Sequence, residues 1–327
     1  MNRTFPLPVL VWTLAVAYAL LGDTVHAARR PVMPDSSGHE SLASLGARYG
    51  FPIPSVSNKT ITLKSKYTTM VFSGDRRKLL FNGTLIWLNG PVVKQRGKWS
   101  IAKADAVKTI GPLLRSAKNL PPAGSCMVML DPGHGGNDAG AMGRRKVYEK
   151  KVVLDISSRV RSKLEASGVV VKLTREDDSY LSLSARSAIA KQSGADTFVS
   201  VHVNSAHNSS AAGIETYVLP FAGFPSTAGN NDSRAYSGNK HDEANMLLAY
   251  SVHKEMLSHE KSEDRGIRRA RFDVLRDAPC PAILVECGFV SNKREEEKML
   301  KAEYRDNMAE GIARGILAYR HRGKTAK

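Results

Sequence analysis

The stretch Cys126-Met127-Val128-Met129-Leu130-Asp131-Pro132-Gly133-His134-Gly135-Gly136 decides how the chain is read. An apolar run of strand length ends in a polar, glycine-rich turn. The hydrophobic period then changes from two to 3.6: over 149–167, Val153, Ile156, Val160 and Leu164 fall on one helical face, and Gly168 stops the helix. The alternation continues. Strands are expected at 169–174, 197–203, 214–219, 272–275 and 282–287, and helices at 182–193, 243–259, 293–300 and 304–320. A Gly/Ser/Asn-rich loop at 220–242 interrupts them. Alternating strands and helices predict an α/β fold, a twisted, mostly parallel or mixed sheet flanked by helices.

Working back from this domain, Pro121-Pro122-Ala123-Gly124 reads as its boundary, so it spans 121–327. Residues 57–120 read as a small β-rich module. Positions 60–72 alternate and are β-branched, 79–88 is a second strand candidate broken by the hairpin dipeptide Asn82-Gly83, and 102–114 is a short helix. Residues 51–120 carry 13 Lys/Arg against Asp75 and Asp105, a net +11, which predicts a surface for an anionic polymer. Residues 28–56, rich in Pro, Ser and Gly, read as a linker.

The whole chain has 327 residues and a net charge of +17, with 42% hydrophobic and 24% charged residues. Ordinary globular usage excludes a collagen-like, disordered or polytopic membrane protein. Three cysteines without a CxxC pair exclude a thiolate zinc finger. Arg3, the apolar run 5–21 and Val25-His26-Ala27 read as a signal peptide over 1–27, so the mature chain is expected to be exported, periplasmic or envelope-associated, without stable membrane insertion. Export turns the basic charge away from nucleic acid and towards envelope polymers. In an oxidising space Cys126 and Cys280, each preceding an apolar strand, either pair as a disulfide or remain buried thiols with Cys287.

Four polar residues stand at strand or helix ends, where α/β proteins place their sites: His134 after the first strand, Glu149 opening the first helix, His202 in Ser200-Val201-His202-Val203-Asn204, and Glu286 ending the last strand. The glycine-rich turn matches neither phosphate-binding pattern. A carboxylate in an apolar strand costs several kcal/mol unless it gains a cation, a hydrogen-bond network or a raised pKa, so Glu286 needs an explanation. Two imidazoles and one carboxylate form a catalytic zinc set with a position left for water, and a second carboxylate can take that water's proton.

Asp131-Pro132-Gly133-His134-Gly135-Gly136, Tyr148-Glu149-Lys150, Leu173-Thr174-Arg175, the His202 segment, Gly213-Ile214-Glu215-Thr216 and Val285-Glu286-Cys287-Gly288-Phe289-Val290-Ser291-Asn292 occur in this order. Together they resemble the zinc-dependent N-acetylmuramoyl-L-alanine amidases, the catalytic domains of bacterial cell-wall amidases, over about 126–320. The resemblance implies zinc (Zn2+) held by His134, Glu149 and His202, with Glu286 as the catalytic carboxylate. It implies peptidoglycan as substrate, cleaved between N-acetylmuramic acid and L-alanine during wall remodelling or daughter-cell separation. Glu215 is expected behind the ligands, Arg276 on a stem-peptide carboxylate, and Asn204 and Asn245 in the pocket. Some members carry a helical insertion that plugs the site until an activator binds. The matching 220–242 here reads as a flexible loop, so an open site is expected and any activator is unknown. A zinc peptidase acting on stem peptides is the alternative.

Overall fold

The computed structural model describes residues 38–115, 127–229 and 232–324, with side chains described to residue 321. The expected signal peptide, residues 28–37, the Pro121-Pro122 boundary and Cys126 lie outside the described residues, and with Cys126 the disulfide question. No helix among the described residues is long and apolar enough to cross a membrane.

The N-terminal part runs β1 (His39–Ser41), α1 (Leu42–Arg48), β2 (Ser55–Ser57), β3 (Thr60–Lys64), β4 (Thr69–Ser73), β5 (Lys78–Phe81), β6 (Thr84–Trp87), β7 (Val93–Gln95) and β8 (Lys98–Ala102). It closes with α2 (Lys103–Asp105), a π-turn at Ala106–Ile110 and α3 (Gly111–Leu114). The second part runs β9 (Met127–Pro132), α4 (Glu149–Glu165), β10 (Val170–Leu173), α5 (Leu183–Gln192), β11 (Thr197–Asn204), β12 (Ile214–Val218), a 3-10 turn at Ser237–His241, α6 (Asp242–His259), β13 (Asp264–Arg269), α7 (Asp273–Arg276), β14 (Ala282–Phe289), α8 (Lys293–Met299) and α9 (Ala302–Lys324).

The expected α/β architecture is present. β9, β10, β11 and β14 are mutually parallel, β12 runs antiparallel to β14, and β13 is parallel to β12. Helices α4, α6 and α9 cover one face over Val128, Leu130, Val199, Val201, Ile283 and Val285. Helices α5 and α7 lie against the other, beside Met129, Phe198, Tyr217 and Leu284. The Asn82-Gly83 hairpin forms as expected, both residues taking positive φ (49° and 85°) between β5 and β6.

Two expectations are corrected. First, 38–56 is not a linker: Ser41 caps α1 by accepting from the Ser44 N–H at 3.1 Å, and Leu42 and Leu45 are buried. A seven-residue helix is too short to display its period within a Pro/Ser-rich segment. Second, 272–275 is not a strand but the turn of helix α7. The strand lies upstream as β13, whose sequence Asp-Arg-Gly-Ile-Arg-Arg looks soluble. Its arginines are held on partners instead of in water: Arg268 and Arg265 on Glu215, and Arg269, 1% exposed, on Trp87 O and Thr109 Oγ1. The β-rich module is present as expected, and it shares a sheet with the second domain. Parallel pairing of β6 with β13 joins it to the second domain in one 11-stranded sheet, order β10-β9-β11-β14-β12-β13-β6-β5-β4-β3-β2, while β1, β8 and β7 form a separate small sheet. Buried Asp105 ties the Asn89-Gly90 backbone and Thr109 together, and the Asn89 Oδ1 accepts from the Phe221 N–H across the junction.

Candidate metal centre

β9 delivers the Asp131-Pro132-Gly133-His134 turn to the carboxyl end of the sheet, and two buried arginines hold that turn. Arg175 donates to Pro132 O (3.0 Å) and Gly133 O (2.7 Å); Arg186 donates to Pro132 O and His134 O, both at 2.8 Å. Their positive charge is met by fully buried Asp131, which accepts from Arg186 (2.8 Å), Thr174 Oγ1 (2.6 Å) and Ser200 Oγ (2.8 Å). Burial alone would raise the Asp131 pKa; Arg186, Thr174 and Ser200 outweigh it and hold the carboxyl below its ordinary value. The clamp sustains an uncommon backbone, since His134 sits at φ +60°, a left-handed region that only a few per cent of non-glycine residues occupy. Gly133 is required by close approach: a Cβ there would lie 2.3 Å from the His202 ring.

His134, Glu149 and His202 come together as expected, with ligand atoms within 4.8 Å of one another. Glu149 opens α4 and its carboxylate is almost wholly buried. Its Oε2 accepts from the Ala141 N–H (2.8 Å) and its Oε1 from the Val203 N–H (3.1 Å). His134 Nδ1 lies 2.8 Å from Asp138 Oδ2, so its proton belongs there and Nε2 presents a lone pair. His202 Nε2 lies 3.1 Å from Ser200 Oγ, whose own hydroxyl proton goes to Asp131. That hydroxyl is then an acceptor, Nε2 keeps the imidazole proton, and Nδ1 presents the lone pair.

Both lone pairs face the same carboxylate oxygen. His134 Nε2 and His202 Nδ1 stand 3.1 and 3.0 Å from Glu149 Oε1, and His134 Nε2 is a buried atom with no hydrogen-bond partner among the described residues. Three converging acceptors repel unless a cation lies between them. Bonds of about 2.0–2.1 Å in tetrahedral array would place the donors about 3.3 Å apart, close to the two separations from Glu149 Oε1, so two imidazoles and a carboxylate fit a zinc ion. The same negative field acts on protons. Burial would lower the His134 pKa, but Asp138 and Glu149 push it up to about 10. Burial would raise that of Glu149, but the two histidines hold it far below the usual carboxylate range.

Glu286 lies directly opposite His202 in the β11–β14 ladder and opposite Glu215 in the β14–β12 ladder, so the three share one face. It is 8% exposed, and its Oε2 has no hydrogen-bond partner among the described residues. Burial, then Glu149 and Glu215, raise its pKa well above the ordinary value. This environment suits a group that gains and releases a proton.

Other expectations fail on geometry. Glu215 does not sit behind an imidazole; its carboxylate is used by Arg265 (2.9 Å), Arg268 (2.6 Å), Asn204 Nδ2 (3.0 Å) and the Tyr217 hydroxyl (2.7 Å). The groups behind the imidazoles are Asp138 and Ser200, and the clamp on their loop includes Arg186. A strand alternation that puts Ser200 beside His202, and an Asp four residues after His134, were the available signals. No local pattern marks Arg186. Asn204 spends its amide on Glu215, and Asn245 accepts from the Ala282 N–H at 2.7 Å, so it fastens α6 to β14. Arg276 is ion-paired with Asp273 and stacked 5.3 Å from the Tyr236 ring centroid. The 220–242 stretch holds no plugging helix among its described residues. Its residues 224–226 are held in place: Arg77 donates to Ser226 O and Pro225 O, and Arg271 to Phe224 O.

Comparison with known proteins agrees with this site. The family model described as N-acetylmuramoyl-L-alanine amidase matches residues 128–318. The amidase AmiA of Escherichia coli K12 is 33% identical over 248 residues, covering 68% of this chain and 85% of AmiA. Among solved structures, the amidase AmiC2 of Nostoc punctiforme superposes with a TM-score of 0.52 at 37% identity, over 60% of this chain and 97% of that one. The amidase CwlD of Clostridioides difficile, solved in complex with the GerS lipoprotein, gives 0.51 at 29% identity, over 59% and 98%. The matched segment begins in the strand that bears Asp131 and ends in the last helix, enclosing every residue of the centre, and on these grounds the chain belongs to the N-acetylmuramoyl-L-alanine amidase family of peptidoglycan hydrolases.

Proposed function

We propose that the protein is an exported, zinc-dependent enzyme that hydrolyses the amide between the lactyl group of N-acetylmuramic acid and L-alanine, in wall remodelling or daughter-cell separation. The observation that carries this is the convergence of two imidazole lone pairs and a carboxylate oxygen, with Glu286 on the neighbouring ladder position. His134, Glu149 and His202 would hold the metal. Zinc there supplies a Lewis acid for the scissile carbonyl and the attacking water. Glu286 accepts the water proton through its Oε2 as the new C–O bond forms, and returns it to the alanine nitrogen as the C–N bond breaks. Asp138 and the Ser200–Asp131 pair keep each imidazole in the tautomer and orientation needed. Burial, with the Glu149 and Glu215 carboxylates nearby, favours the protonated form of Glu286 and so helps it take up the water proton. The N-terminal part, with its +11 charge, attracts the anionic wall. The site is proposed to work without an activator, because 220–242 lacks a plugging helix among its described residues.

The deciding experiment is digestion of purified peptidoglycan by residues 28–327, with and without chelator, with products identified by mass spectrometry. Intact stem peptides with free N-terminal alanine, lost with chelator and restored by zinc, are expected. Cuts within the stem peptide would replace this reading with a peptidase.

A further inference from the structure

The sheet carries the candidate site and the N-terminal strands on the same face. His202 pairs with Glu286 and Glu286 with Glu215 across β11, β14 and β12. Further along, Tyr217 pairs with Arg268, then Ile267 with Ile86, Lys78 with Trp87, Leu80 with Leu85, and Val71 with Leu80. Directly paired side chains point the same way, and neighbours along a strand alternate. Ile267, Ile86, Leu79 and Phe81 all enter the helix-covered core. Their neighbours Arg268, Trp87, Lys78 and Leu80 therefore lie on the opposite face, the one that bears Glu286.

That stretch is chemically distinctive. Lys78 and Leu80 are exposed, Leu80 by 41%, although Leu80 sits in the middle of the sheet. Trp87 is half-buried, and its indole N–H donates to Arg265 O at 3.1 Å, which fixes the ring. Lys78 Nζ lies 4.9 Å and Arg268 Cζ 5.4 Å from its centroid. An oriented aromatic with an apolar neighbour and one exposed cation, Lys78, is a surface for a sugar ring carrying a carboxylate; Arg268 is already paired with Glu215. From β14 to β6 are three strand spacings, about 14 Å.

We propose that Trp87, Leu80 and Lys78 form a substrate subsite, occupied by the glycan of the same peptidoglycan strand whose amide is cut at Glu286. A sugar ring stacks on Trp87 beside Leu80, and a stem-peptide carboxylate meets exposed Lys78, while Arg268, held on Glu215, supports the indole. This rests on the function proposed above and goes further: the basic module extends the face that bears Glu286 at a fixed distance, through the β6–β13 pairing, instead of serving as a tethered anchor. The occupant follows from charge complementarity with an acidic glycopeptide and from continuity with the candidate site.

The test uses the full mature chain with three variants, Lys78→Glu, Leu80→Glu and Trp87→Ala, and a far-edge control, Lys172→Glu on β10. The two exposed substitutions carry the argument if Trp87→Ala misfolds. Each subsite variant should raise the apparent KM for polymeric peptidoglycan about tenfold, the scale of one lost anchor contact, with kcat within about twofold. The control should move neither. In a Glu286→Gln background, cosedimentation with purified peptidoglycan should weaken by the same factor. A fall in kcat at unchanged KM, or unchanged wall affinity, overturns the proposal. So does loss of self-association at unchanged wall affinity, which would assign the strip to a second copy of the chain. If the parent fails to release stem peptides, the proposed reaction falls, while cosedimentation still decides whether this strip holds the wall.

Discussion

Replacing Arg186 with methionine tests whether the buried ion pair underpins the candidate centre. Arg186 and Asp131 are 2% and 0% exposed and meet at 2.8 Å. Methionine fills much of the volume but leaves Asp131 without its cation. Removing one partner of a buried pair costs about 3–5 kcal/mol. Thr174 and Ser200 still donate to Asp131, which places the electrostatic loss near 3 kcal/mol, the low end of that range. Pro132 O and His134 O also lose donors, at about 1 kcal/mol each where water cannot replace them. At about 2 °C per kcal/mol for a chain of this size, the melting temperature should fall by about 6–10 °C. Thermal unfolding followed by circular dichroism measures it. Because the lost donors hold the His134 turn and Asp131 orients Ser200, metal content measured by mass spectrometry should fall as well. Pairing the change with Asp131→Leu removes the unmatched charge, and the double variant should be more stable than Arg186→Met alone. A single variant within 1 kcal/mol of the parent, or a double variant less stable than either single, would refute the assignment of this pair as the support of the loop.

Further predictions concern the site and its acid sensitivity. Glu286→Gln keeps the shape and removes the proton acceptor; amidase turnover should fall at least about 100-fold while sedimentation with peptidoglycan persists. Glu149→Gln weakens one of three metal contacts, and bound zinc after dialysis against a weak chelator should drop about 10-fold or more, with secondary structure by circular dichroism unchanged. Gly133→Ala places a methyl against the His202 ring and should cost about 1–3 kcal/mol in chemical denaturation along with metal content; a neutral variant would mean the turn can yield. Asp131 and Glu215 are both held below their ordinary values, Glu215 because Arg268, Tyr217 and Arg265 outweigh burial. Groups with depressed folded pKa values stabilise above their unfolded values, about 4, and that contribution is lost as pH falls through the folded values. The melting temperature should thus decline below about pH 4, and the decline should be shallower in Asp131→Asn.

The α/β class, the order of most elements and the residues that meet at the centre were legible in the chain, because they depend on local signals. Val153, Ile156, Val160 and Leu164 declare α4 by period, and His134, Glu149, His202 and Glu286 mark themselves as polar residues at the ends of apolar elements. The tertiary structure decided what depends on long-range partners. β13 carries arginines that look solvated until Glu215, Trp87 and Thr109 are found to accept from them, so no pattern within the segment could reveal a strand. Ser200 and Asp138 were placed behind the imidazoles, and Glu215 was taken from that role, by side-chain reach across strands and turns. One parallel pairing, Ile86 with Ile267, makes the expected β-rich module a continuation of the catalytic sheet. A backbone ladder between segments 181 residues apart leaves no trace in either segment's own alternation, since period records which face is buried and not which strand lies alongside.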